Sequence, residues 1–298
     1  MLFRSGLHQL QRPNGFSAPG VPRLSHAGHT ARRRLNAAVD HDADAPLEIL
    51  YRDAQLIAVH KPPRLLVHRS ALDRHATRFA VQLLRDQIGQ RVWPAHRLDR
   101  GTSGVLLFAL DADTAAALGK QFEAQTVAKR YLAVVRGHPP LAGVIDHPLT
   151  RQDDAVEGDT RPAQSARTHY RRLATVELPI RVDRYPSSRY ALLSVVPETG
   201  RRHQIRRHLK HIAHPIIGDA THGKGRHNRM FAARFGCTRM LLACTALGFT
   251  HPVNGQRITV RAPLEPEFSA LLAALGWAGA LDQPCSGKEY TEIGRAHV

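Results

Sequence analysis

The residues most able to do chemistry lie in one nonapeptide, His96-Arg97-Leu98-Asp99-Arg100-Gly101-Thr102-Ser103-Gly104. It sets one carboxylate, Asp99, between two guanidinium groups, just before the apolar run Val105 to Leu110. An opposite charge within a few ångströms favours an ionised carboxylate. Asp99 therefore reads as an anion at the mouth of a buried strand. On this stretch alone a surface Arg–Asp pair, worth little energetically, fits equally well. A second cluster runs from Thr199 to Lys210. Ile205, Leu209 and Ile212 are spaced there as the apolar face of a helix. Arg202, Arg206 and Lys210 recur every four residues beside them, as a cationic stripe. Like charges stacked at that spacing destabilise an isolated helix, so something anionic must meet them. Backbone phosphates or a buried carboxylate such as Asp99 would serve, and a solvated basic face is the plain alternative. Asp219 is the one acid between Thr199 and Arg229, against eight Lys and Arg.

A third stretch, Lys129 to Gly137, holds Tyr131 among basic residues at the start of a predicted strand. Such a tyrosine can stack a base while its hydroxyl finds a polar partner; a half-buried strand tyrosine looks the same. His208, His211 and His214 lie three apart, but Arg207 and Lys210 would repel a cation and no cysteine joins them, so no metal site is expected. There is neither a P-loop nor a Gly-x-Gly-x-x-Gly fingerprint. The predicted chemistry uses a carboxylate, arginines and an aromatic, without a cofactor.

These groups need a scaffold, and 298 residues can bury a substantial core. Net charge is +17, of which the first 46 residues supply only +3. The rest is expected on the folded surface, where it would concentrate a polyanion. No basic amphipathic helix with bulky apolar anchors favours a membrane instead. The longest uncharged helical candidate, Ser269 to Leu281, has 13 residues, short of the roughly 20 needed to span a bilayer; it reads as a buried helix. Cys237, Cys244 and Cys285 fit free thiols in a reducing, cytoplasmic compartment.

Residues 1–45 are rich in Gly, Pro, Ser and Arg and read as a disordered basic extension, or as the product of a misassigned start. The domain expected to fold spans 46–283, followed by a tail over 284–298. The final heptapeptide, Glu-Ile-Gly-Arg-Ala-His-Val, reads as a translated sequencing adapter rather than native sequence. Within the domain, strands are predicted over Gln55 to Val59, Val105 to Leu110, Tyr131 to Val135, Tyr190 to Val196, Met240 to Thr250 and Arg257 to Arg261. Helices are predicted over Thr77 to Ile88 and from an Asp113 cap to about Gln125. A polar, acidic loop occupies Thr150 to Ala166. The sum is a sheet-rich α/β domain without strict βαβ alternation.

Taken together, the segments resemble the RluA-type pseudouridine synthases. Lys61-Pro62 with Leu66-Val67-His68 is similar to the family's first motif, His96 to Gly104 to its catalytic motif, and Lys129 to Gly137 to its tyrosine motif. Thr199 to Leu209, with His214-Pro215-Ile216-Ile217-Gly218-Asp219, is similar to its arginine motif. Four motifs in the right order, from about Leu47 to Pro263, are far more specific than any one of them. Leu66 to Ser70, Arg85 to Gln90, Arg184 to Tyr190 and Arg207 to His211 are similar to the branch acting on tRNA position 65. The resemblance implies an α+β fold with a mixed, mostly antiparallel sheet flanked by helices and loops around a basic RNA-binding cleft. It implies isomerisation of uridine to pseudouridine in tRNA, with ribosomal RNA or another tRNA site as the alternative, and a monomer without a protein partner. It casts Asp99 as the catalytic carboxylate, attacking C1′ or taking the C2′ proton, and Arg206 as its partner. Tyr131 would stack on the uracil and accept the C5 proton, and Leu242 would line the pocket. Arg97 would fill the stack left by the flipped base. Lys61, His68, Arg100, Lys129, Arg201, Arg202, Arg207 and Lys210 would contact RNA. Two departures stand out: Pro63-Arg64 replaces a small residue and glycine, and Ala243 replaces a frequent histidine.

Overall fold

The computed structural model describes residues 45–69, 77–150 and 162–281. The basic extension, most of the acidic loop, Cys285 and the C-terminal tail lie outside the described residues. In chain order the elements are β1 (Ile49–Arg52), β2 (Leu56–Lys61), α1 (Ala80–Ile88), β3 (Trp93–Pro94), β4 (Ser103–Ala109), α2 (Ala112–Glu123), β5 (Ala128–Arg136), β6 (Ala142–Asp146), β7 (Arg167–Leu178), β8 (Ser188–Pro197), α3 (Gln204–His211), α4 (Gly225–Phe235), β9 (Leu242–Thr250), β10 (Arg257–Arg261) and α5 (Pro266–Ala274), with a 3-10 turn over Ala278–Leu281. The strands form one sheet in the order β1-β2-β4-β9-β5-β8-β7-β6, with β3 beside β4 and β10 beside β9. Every ladder among these strands is antiparallel except one, a two-pair parallel contact of Ser103 with Ala243 and Gly104 with Cys244.

Burial explains the central strands. All seven residues of β4 are buried, as expected for an apolar run with both faces covered. Along β5, Leu132 and Val134 enter one core with Tyr190, Leu192 and Phe231. Ala133 and Val135 enter another, on the opposite face, with Leu193, Ile205 and Leu209. This is the two-residue alternation of a strand, and it puts α4 and α5 on one face of the sheet and α3 on the other. A third core gathers β2, β4, α1 and α2.

Several expectations shift. Asp111, not Asp113, caps α2: its side chain accepts the Thr114 amide at 2.7 Å, while Asp113 lies in the first turn. The helix predicted over Ser269 to Leu281 starts earlier, with Pro266 in its first turn, and stops before Gly276, whose φ is +74°. The twelve-residue strand β7 was not expected. Its Arg171, Arg172 and Glu177 hide the alternation, and a bulge between Arg172 and Ala174 breaks its register. The surplus cationic charge is not wholly on the surface either, since Lys61, Arg206 and Arg239 are buried.

The parallel joint is a tight point of the fold. Gly104 has φ +109°, and a Cβ there would stand 2.0 Å from the Cys244 carbonyl oxygen. Both the backbone and the space demand glycine. Arg64 is the opposite case: an arginine holding φ +69° at the turn where the resembling family has glycine. Its guanidinium donates to Thr238 Oγ1 at 2.6 Å. Gly104→Ala is expected to destabilise the domain by about 3 kcal/mol or more through backbone strain and overpacking. A urea midpoint matching that of the unchanged protein would refute this account of the joint.

Candidate active site

The nonapeptide forms a turn closed by the Thr102 amide donating to the Asp99 carbonyl at 3.0 Å, leading straight into β4. His96 anchors its start: Nε2 accepts the Leu107 amide at 3.1 Å, and the ring stacks on Phe122 at 5.1 Å. Burial, helped by the charge of Lys129, pushes the His96 imidazole down to about 3 and keeps it a neutral acceptor. Leu98 is buried, and Asp99 lines a cleft of about 420 Å3. Arg97, Tyr131, Lys129, Arg201, His203, Arg206 and Leu242 line that cleft with it.

Arg206 meets Asp99 there. Its Nη1 donates to Asp99 Oδ2 at 3.0 Å, while Nε and Nη2 grip Asp219 at 2.7 and 2.9 Å. The cationic stripe imagined from sequence is therefore broken. Arg202 precedes α3, Arg206 turns inward, and of these three only Lys210 is exposed on the helix. Sequence did not single out Asp219 as the second carboxylate, although its isolation among cations was the available signal. The amides of Thr221 and His222 also donate to Asp219 Oδ1, each at 2.9 Å. Burial raises the Asp219 carboxyl, but the Arg206 hydrogen bonds and charge and the two amides outweigh it and leave it lowered.

Gln204 positions α3. Its amide oxygen accepts Thr199 Oγ1 at 2.6 Å and the Arg201 amide at 3.0 Å. Its Nε2 donates to the Arg167 carbonyl and to Thr168 Oγ1, both at 2.9 Å. His208 seals the inner face, with Nδ1 2.9 Å from Thr168 Oγ1 and Nε2 2.9 Å from the His147 carbonyl. His211 stacks on His147, while His214 reaches the Arg136 carbonyl. His208 and His211 thus both meet His147, while His214 is held apart by the Arg136 carbonyl. No group of three His, Cys, Asp or Glu able to hold a metal occurs among the described residues.

Tyr131 faces Cys244 across the β5–β9 ladder. Burial, and then the hydrogen-bonded Cys244 side chain, raise its phenol well above the ordinary value. Leu242 is buried at the start of β9. Arg97, His68 and Arg100 are exposed. Arg97 lies close enough to His68 for its charge to add to the burial that lowers that imidazole. Arg100 Nε donates to the Arg64 carbonyl at 3.2 Å. Lys129 Nζ donates to the carbonyls of Glu198 and Thr199, and burial brings it down to about 8. Arg201 bonds the Ser165 carbonyl, and Arg207 grips Thr150 through its carbonyl and hydroxyl.

Lys61 is a correction. Expected to contact RNA, it is fully buried, with Nζ donating to the carbonyls of Pro62 and Leu65 at 2.8 Å and of Arg100 at 3.4 Å. Burial, reinforced by Arg239, lowers it to about 7. Its work is internal: it ties the turn after β2 to the Asp99 loop.

A carboxylate held by a buried arginine, beside an aromatic ring in a basic cleft, is an arrangement for polyanion chemistry. Comparison with known proteins narrows the class. A family model described as RNA pseudouridylate synthase matches residues 55–211. The protein named tRNA pseudouridine synthase C of Pectobacterium carotovorum subsp. carotovorum is 48% identical over 241 residues, covering 80% of this chain and 64% of its own length. That of Vibrio cholerae is 47% identical over 239 residues, covering 79% of this chain and 98% of its own. The structure titled Human RNA Pseudouridylate Synthase Domain Containing 1 superposes with a TM-score of 0.60 at 25% identity, over 85% of this chain and 96% of that one. The chain belongs to the RNA pseudouridylate synthase family, enzymes that isomerise uridine within RNA.

The Asp219 clamp has a pH signature. A carboxyl lowered in the folded state contributes stability that is complete above its unfolded value and is lost as pH falls through the folded value. Asp219→Asn is expected to cost about 3 kcal/mol at neutral pH by leaving Arg206 half paired. The deficit should shrink as pH falls below about 4. Urea unfolding of both proteins at stepped pH tests this; a deficit independent of pH would sink the assignment.

Proposed function

We propose that the protein isomerises one uridine of tRNA to pseudouridine, at position 65, in the cytoplasm, as a monomer with a single catalytic domain over 46–283. The observation that carries this is Asp99 at the cleft wall, held by a buried arginine that is itself clamped from behind. The names and identity of the relatives support tRNA as the substrate.

Asp99 breaks the glycosidic bond, attacking C1′ or removing the C2′ proton, and Arg206 holds the carboxylate in place throughout. Tyr131 stacks against the uracil over a pocket floor made by Leu242. A base within a stem cannot turn in place, so the nucleotide leaves the stack at a cost of a few kcal/mol. Arg97, exposed at the cleft rim, fills the gap with its flat guanidinium. Arg100, Arg201, Arg202, Arg207 and Lys210 meet backbone phosphates, which set register without reading sequence. His68, beside Arg97, and Lys129, at the cleft wall, complete the RNA contacts.

Mapping pseudouridine in total RNA from cells with and without the gene tests the reaction and its site together. Loss of one tRNA pseudouridine is expected, loss from ribosomal RNA would reassign the substrate, and an unchanged map would end the enzymatic reading. With purified protein, Asp99→Asn is expected to abolish product while RNA affinity is kept. Lys210→Ala should weaken binding and reduce the slope of log K against log salt by about 1; an unaltered slope removes the phosphate contact.

A further inference from the structure

Arg184 to Tyr190, one of the stretches similar to the tRNA branch, has no part in the cleft. It belongs to the hairpin that joins β7 to β8, and Ser188 opens β8 there. Pro197, which lines the cleft, closes the same strand. The ten residues of β8 span about 30 Å at strand spacing. At the hairpin tip Tyr185 is 60% exposed, the only exposed Phe, Tyr or Trp among the described residues. The Arg184 guanidinium lies over its ring, 5.8 Å from the centroid.

The hairpin is braced against α4. Asp183 pairs with Arg226 Nη1 and stands beside His227 Nε2, each at 3.1 Å. The buried His227 meets the Tyr190 hydroxyl at 2.7 Å and Arg136 Nε at 3.1 Å. With His227 and Phe231 inward, Arg226 and Arg229 share the outer face of α4, and Lys224 lies exposed just before it. The same helix reaches the clamp. Asn228 accepts the Gly218 amide at 2.8 Å and donates to the Asp219 carbonyl at 2.9 Å. Two residues before Lys224, the His222 ring meets His203 at 3.1 Å. His203 is on the cleft wall, its Nε2 3.9 Å from Asp99 Oδ1. Cationic groups therefore run from the cleft to the hairpin. The acids beside them are occupied: Asp183 by Arg226 and His227, and Glu177 by the Ser187 hydroxyl, opposite Arg189.

We propose that Tyr185, with Arg181, Arg184, Lys224, Arg226 and Arg229, forms a second RNA-docking surface that grips the tRNA about 30 Å from the cleft, an inference that rests on tRNA being the substrate. The five cations take backbone phosphates. Tyr185 takes a base on the ring face away from Arg184, since aromatic platforms among cations stack bases of any kind. Bases inside a duplex are already stacked, so the nucleotide that fits is an unpaired one, in a loop or at an end. Phosphate contacts in the cleft set register without reading sequence. A second contact, roughly one duplex turn away, selects instead for shape. Only a folded RNA that places its target stem in the cleft and an unpaired base at the hairpin satisfies both.

The test compares full-length tRNA with a short stem-loop that carries only the target stem and does not reach the hairpin. Tyr185→Ala is expected to raise Kd and KM for the tRNA about 10-fold, the loss of one stacked base, with kcat unchanged. On the stem-loop it should match the unchanged enzyme. Tyr185→Phe keeps a stacking face and should bind tRNA normally. Arg229→Ala should lower the salt slope of tRNA binding by about 1 and leave that of the stem-loop intact. Equal tRNA affinity in Tyr185→Ala and the unchanged protein would overturn the proposal and leave a solvated basic face. A loss shared by both RNAs would overturn it as well. Pseudouridine formed by the unchanged enzyme is scored separately. Its absence from every tRNA refutes the functional reading and, with it, any part of this surface in the isomerisation.

Discussion

Pairing of the buried Arg206 guanidinium organises this protein. A charge removed from water costs several kcal/mol unless partners surround it. Arg206 finds them on two chain segments far apart in sequence, Asp99 before β4 and Asp219 after α3. Asp219 takes the two-pronged grip and leaves one Nη1 for Asp99, so the distribution of donors sets where the Asp99 carboxylate stands. Buried ion pairs are weak evidence for stability. Here the pairing specifies how the Asp99 loop, α3 and the turn at 219–222 come together, and the cleft is the space they leave.

Beneath the clamp lies the joint between the two halves of the sheet. The parallel contact of β4 with β9 brings the Asp99 loop to the edge of β9, where Leu242 begins and where Cys244 faces Tyr131. Gly104 makes this possible, because no side chain fits against the Cys244 carbonyl. Lys61 and Arg239 add internal tethers. Lys61 ties the carbonyls of the turn after β2 to that of Arg100 in the Asp99 loop, and Arg239 reaches Ser103 Oγ at 2.6 Å. Cationic charge thus serves two ends in this chain: buried cations pin loops together, and exposed ones remain for a polyanion.

Much of this was legible from the residues. The apolar runs of β4, β5, β8 and β9 gave strands because both faces are covered, and β10 has the bounds its pattern predicted. Asp99, Arg206, Tyr131 and Leu242 were all named from sequence and share one cleft. What escaped was polar and long-range. β7 carries charged residues that mask its alternation, and α4 is built on Arg, His and Asn around a buried Phe231 and His227. The burial of Lys61 was invisible because a lysine among prolines looks like a surface turn until its carbonyl partners are known.

The sequence by itself determined the chemical inventory and its local setting: a carboxylate in a glycine-containing turn, a tyrosine at a strand start, an amphipathic basic helix. Local propensity and periodicity act over a few residues and are written in the chain. Tertiary structure alone decided which cations face inward. Arg206 and Lys210 occupy equivalent positions in a repeating pattern, yet one is clamped by two carboxylates and the other lies in water. It also decided that His203 turns toward Asp99 and is backed by His222. Those outcomes depend on desolvation and on partners more than a dozen residues away, which no spacing rule encodes.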